Sequence, residues 1–124
     1  MNLLVSCIYI GLGGAAGAIL RYLFGLIPFK SGIGFPFATL AINVIGAFFI
    51  GLVAGLAQKN PQLSSNLILF LKVGVCGGFT TFSTFSLETF RLFENGSPWL
   101  AISYISSSVV LCVLAVYSAL KSAS

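Results

Sequence analysis

Four long apolar stretches, Leu3 to Ile27, Phe35 to Ala57, Leu67 to Arg91 and Trp99 to Leu120, alternate with short polar connectors. About 20 apolar residues cross the hydrocarbon of a bilayer as a helix, so each stretch is long enough to span. The connectors hold the helix breakers: Pro28, Lys30, Gly32 and Gly34, then Gln58, Lys59, Asn60 and Pro61, then Glu94, Asn95, Gly96 and Pro98. No stretch alternates as a barrel strand would. Backbone polar groups in hydrocarbon must be paired within the chain, so the spans are predicted to be helices. The pattern thus predicts an all-α integral membrane protein, one four-helix transmembrane unit over residues 1–124 with no room for an extramembrane domain. Met1 to Ala18 could pass for a signal peptide, but it has no basic leader and its apolar run continues too far. It is read as a retained first span.

Composition agrees: 58% of residues are hydrophobic and 6% charged, where a soluble domain carries about a quarter charged. A soluble chain this short could not hide so much apolar surface. The net charge of +4 comes from singly scattered cations, which argues against a nucleic-acid partner. Cys7, Cys76 and Cys112 lie in apolar stretches without metal-type spacing and read as small apolar fillers. The pairs Gly13/Gly17, Gly51/Gly55 and Gly74/Gly78 let helix backbones approach closely, and packing within the chain is enough to explain them.

Orientation in the membrane is set by Lys/Arg asymmetry between the two sides. Four spans put Lys59, Lys121 and, if counted, Lys72 on one side, and Lys30, Arg91 and, if counted, Arg21 on the other. Three against three chooses no orientation. The expectation is dual topology, with copies inserting both ways and pairing as an antiparallel two-fold homodimer.

The third span is the unusual one. Gly77 and Gly78 lead into Phe79, Thr80, Thr81, Phe82, Ser83, Thr84, Phe85 and Ser86, a polarity no other span has at that depth. Two glycines followed by two β-branched threonines weaken helix propensity, so the span is expected to break there and leave carbonyls without partners. Freed carbonyls of a broken membrane helix suit a monovalent cation, although a kink serving packing alone is the plainer alternative. Beyond the break, helical spacing puts Thr80, Thr84, Glu88 and Arg91 on one strip and Phe82, Phe85, Ser86 and Thr89 on the next. Glu88 within a span points to a polar cavity, unless it lies at the membrane edge and pairs with Arg91.

Asn43, with Thr39 one turn earlier, stands mid-span in the second helix, and Tyr104 and Ser108 are one turn apart in the fourth. Asn43 reads equally as interhelical glue. Arg21, near the end of the first span, either snorkels to the interface or draws anions into a vestibule; the sequence favours snorkelling. No His, phosphate loop or intramembrane proton relay is present, which argues against an enzyme. Hydroxyls, one amide and phenyl edges, whose rim carries the positive part of the quadrupole, fit an anion pathway.

The run Gly77-Gly78-Phe79-Thr80-Thr81-Phe82-Ser83-Thr84-Phe85, with Gly17-Ala18 and Arg21-Tyr22 upstream and Asn43 mid-span, resembles the bacterial Fluc (CrcB) family of fluoride channels over essentially the whole chain. The resemblance implies a dual-topology homodimer in the bacterial plasma or inner membrane, surrounded by lipid, with two pores that passively export fluoride. It implies that Phe82 and Phe85 contact fluoride through their ring edges and that Asn43 donates to it. Ser83, Thr84, Tyr104, Ser108, Glu88 and Thr39 match the polar route, and Arg21 matches an arginine near the vestibule. Gly77 and Thr80 match residues whose backbone carbonyls, two from each copy, hold a central structural sodium ion.

Two other functions share the gross features. A small dual-topology exchanger needs an intramembrane carboxylate, and Leu3 to Ile27 has none. An assembly subunit would use the polar third span as glue for partner helices.

Overall fold

The structure, a computed structural model, describes residues 2–29 and 32–124; Lys30, counted above in the first connector, lies outside the described residues. The chain is helical in the order α1 (Leu3–Gly25), α2 (Phe37–Lys59), α3 (Ser65–Leu69), a π-helical segment (Phe70–Cys76), α4 (Gly77–Phe79), α5 (Phe82–Glu94) and α6 (Pro98–Ala123). Four helical stretches are long and apolar enough to cross a membrane, and the third runs from Ser65 to Glu94. This is a multi-pass membrane protein.

Local chemistry sets the ends. The Asn2 side chain accepts from the Leu4 and Val5 amides and starts α1, while the Ser64 hydroxyl accepts from Leu67 and starts α3. Pro98 opens α6, a position where the missing N–H costs nothing. The spans differ from their sequence limits by a few residues at the ends. Helix α1 stops at Gly25 short of Pro28, α2 starts at Phe37 after Pro36, and the third and fourth spans run further at both ends. Gly96 closes the third connector at φ 74°, a conformation that costs glycine no Cβ clash.

The spans pack as two parallel pairs. Along α1 the contacts climb in step with the third span, from Ser6 against Asn66 to Gly13 against Gly74 and Gly17 against Val75. Along α2, Gly51 meets Val116 and Ala119, and Gly55 meets Ala123. The glycine pairs therefore serve packing within the chain, as the plainer reading held. A Cβ on Gly17 would overlap the Val75 carbonyl oxygen, and one on Gly78 would press into Gly14.

The third span is broken, but not at the glycines. Gly77 is helical at φ −64°, ψ −37°, while Thr80 (ψ 157°) and Thr81 (φ −149°, ψ 116°) are extended. Gly78 is needed for the approach to α1, and the two β-branched residues make the interruption. With Thr80 outside the helix, the expected strip shortens to Thr84, Glu88 and Arg91. The π-helical segment before the break was not foreseen; such segments are frequent at functional sites.

Candidate functional site

Where the third span opens, several of the freed backbone groups can be followed to a partner. The Cys76 carbonyl accepts from the Thr80 amide at 3.0 Å and from the Thr80 hydroxyl at 2.9 Å. The Gly78 carbonyl accepts from Arg21 Nε–H at 3.1 Å. Thr81 is held twice by one side chain: its amide donates to Asn43 Oδ1 at 2.8 Å, and Asn43 Nδ2 donates to its carbonyl at 3.1 Å. The Thr81 hydroxyl in turn accepts from the Thr84 amide at 3.1 Å and caps α5. Three carbonyls, those of Gly77, Phe79 and Thr80, accept no loop, cap or side-chain hydrogen bond among the described residues.

Beside this break lies a cavity of ≈ 400 Å³ walled by α2, the third span and α6. Asn43, Gly77, Thr80, Thr81, Phe82, Phe85 and Ser108 line it, together with apolar groups and the thiols of Cys76 and Cys112. Ser108 is 7% exposed, and its hydroxyl is the buried side-chain polar atom without a hydrogen-bond partner among the described residues. Phe82 is 79% exposed, and its ring lies 5.5 Å from that of Phe85.

Phe85 joins the cavity to a second polar group, because its ring meets that of Tyr104 edge-on at 4.9 Å. Tyr104 is fully buried, and its hydroxyl donates to Glu88 Oε1 at 2.9 Å. The buried Thr39 hydroxyl meets the same phenol. Glu88 thus pairs with Tyr104 on α6, where the edge-of-membrane alternative had paired it with Arg91.

Most of the residues singled out in the sequence therefore gather around the break. Asn43, Phe82, Phe85 and Ser108 share the cavity, and Thr39, Glu88 and Tyr104 form the group behind Phe85. Ser83 does not line the cavity; its exposed hydroxyl pairs with that of Thr81 at 3.3 Å. Thr84 contributes its amide to the cap. Arg21 does not stand free, since its Nε–H donates to the Gly78 carbonyl. The sequence reading passed over Thr81 and the cavity-lining thiols. A threonine following the glycines by three residues was a signal for the cap; nothing in the sequence placed the thiols at a cavity.

The family model described as CrcB-like protein, Camphor Resistance (CrcB), matches residues 8–120. The chain belongs to the CrcB family. Curated relatives in it are named fluoride-specific ion channel FluC. The protein from Agrobacterium fabrum is 42% identical over 118 residues, 94% of each chain. That from Geobacter sulfurreducens is 42% identical over 121 residues, 97% of this chain and 98% of its own. That from Nitrobacter winogradskyi is 48% identical over 111 residues, 88% of this chain and 87% of its own. The relatives so named are ion channels and not enzymes.

Proposed function

We propose that this chain is the subunit of a fluoride channel that passively exports fluoride across the bacterial plasma or inner membrane and so lowers cytoplasmic fluoride. The names of its relatives support the ion. The observation that carries the pathway is the unpartnered Ser108 hydroxyl, buried beside Phe82, Phe85 and Asn43. A buried donor without an acceptor costs about 1–3 kcal/mol, and a passing anion supplies the missing acceptor.

Fluoride is small and strongly hydrated, so the path must replace its water without trapping it. Ser108 offers one O–H, Asn43 retains one amide hydrogen beyond the bond to Thr81, and the Phe82 and Phe85 rings offer their positive edges. Tyr104, Glu88 and Thr39 extend the polar route behind Phe85, and Ser83 and Thr84 stand at the start of α5. Among the described residues, no fixed cation lines the cavity to hold the ion too tightly.

The working unit is an antiparallel, dual-topology homodimer with two pores. Balanced loop charges support insertion both ways. A cavity bordered by a phenylalanine 79% exposed supports a second copy closing it. The Gly77 and Thr80 carbonyls fit a shared structural sodium ion, because they are hard oxygen donors that nothing else takes up. Bound there, sodium supplies the positive charge that these carbonyls lack.

Fluoride-electrode recording of efflux from liposomes containing the purified protein tests this reading. Rapid passive flux is expected, reduced in F82I, F85I and S108A. Absence of flux overturns the channel, and undiminished flux in all three folded variants overturns the pathway. Thiol tagging at both ends in intact cells should find both orientations; a single orientation excludes dual topology.

A further inference from the structure

The geometry points to Arg21 as the residue that restricts the carbonyl cluster at the break to a monovalent cation, an inference that rests on the reading of Gly77 and Thr80 as a cation site. Arg21 lies about one turn before the end of α1, yet its side chain is half-buried and its Nε–H donates to the Gly78 carbonyl at 3.1 Å. Gly78 belongs to the last turn of the half-helix that ends at Phe79. The guanidinium thus sits at the negative pole of this half-helix, the same pole to which the Gly77 carbonyl belongs. One carbonyl of the pole is taken by a cation that is part of the chain, and the preceding one stays open. The placement is fixed, because Gly14 and Gly17, on the turns of α1 before Arg21, press directly on Gly78 and Val75.

A fixed charge beside a cation site discriminates by valence. A guanidinium carries its charge as a permanent part of the side chain. Successive residues of a helix rise about 1.5 Å, so a guanidinium on Gly78 and an ion on Gly77 lie within roughly 10 Å. With an effective dielectric near 20, repulsion over that distance weakens a monovalent ion on the order of tenfold. A divalent ion is weakened by the square of that factor, about a hundredfold. Carbonyl oxygens alone would accept calcium as readily as a monovalent ion. Among the described residues no carboxylate joins the cluster to favour a divalent ion, since Glu88 is engaged by Tyr104.

The test titrates the melting temperature of the purified full-length protein with sodium chloride and, at matched ionic strength, with calcium chloride. Wild type, R21Q and R21K are compared; Gln keeps an N–H for Gly78 without the charge, and Lys keeps the charge. Sodium and not calcium should stabilise wild type and R21K. R21Q should bind sodium on the order of tenfold tighter and calcium about a hundredfold tighter. Equal factors for the two ions, or unchanged affinities, overturn the role of Arg21. A wild type that sodium does not stabilise overturns the cation site itself. Should R21Q not fold, R21H serves: calcium binding must strengthen as pH rises from about 5 to 8 and the imidazole loses its charge, and pH-independent binding overturns the proposal.

Discussion

Asn43→Ala removes, in one truncation, both bonds that hold Thr81, the 2.8 Å bond from its amide and the 3.1 Å bond to its carbonyl. An unmet buried backbone group costs about 1–3 kcal/mol, whereas interhelical side-chain bonds in membrane proteins average near 0.6 and reach about 1.7. Thr81 is half-buried, so the lower part of the first range applies to each group, and the pair is worth about 2–3 kcal/mol. The loss falls on the break and should appear as easier local opening. Cys76, 6% exposed and joined to Thr80 through its carbonyl, reports that opening. In a Cys7→Ser, Cys112→Ser background it is the sole thiol. Labelling limited by the opening equilibrium should then accelerate roughly 30- to 150-fold in N43A, at tenfold per 1.4 kcal/mol. Asn43→Asp keeps an acceptor for the Thr81 amide and loses the donor, so it should show about half the free-energy change. An N43A protein whose Cys76 reacts at the wild-type rate would refute the idea that the amide sets the break.

Three further perturbations follow from the same geometry. Gly17→Ala drives a Cβ into the Val75 carbonyl, while Gly11→Ala meets nothing within 4 Å; size-exclusion profiles should show the first aggregated or unfolded and the second as wild type. Thr81→Ala deletes the α5 cap and should lower stability by about 1 kcal/mol in detergent melts, with Thr81→Ser restoring it. Tyr104→Phe removes the donor to Glu88 and should lower stability by roughly 0.5–2 kcal/mol by the same measurement, more than Tyr9→Phe on the exposed face of α1.

The four spans were legible because hydrophobic length is a one-dimensional property, and bilayer thickness turns it directly into structure. The ends moved by only a few residues, where Asn2, Ser64 and Pro98 act through local hydrogen bonds. The break was legible as a region but not as a position. Weak helix propensity covered Gly77 to Thr81, and which residues unwind depended on α1, whose backbone needs Gly78 helical and close. Asn43 and Arg21 were visible as polar groups in apolar spans. Their partners were not, because both reach backbone atoms of another span, and backbone atoms leave no mark in a sequence. The gathering of Thr39, Glu88 and Tyr104 was hidden for a related reason: it needs α2 and α6 to run side by side in register.

The clasp of Asn43 on Thr81 also has a meaning for assembly in time. A helix interrupted inside hydrocarbon is most vulnerable while it is being inserted, when nothing yet satisfies the exposed peptide groups. The satisfying amide lies on the span synthesised immediately before, so a partner is already in place when the threonines leave the ribosome. Moving Asn43 to a later span could preserve every contact in the finished protein and still leave the nascent chain without its guide.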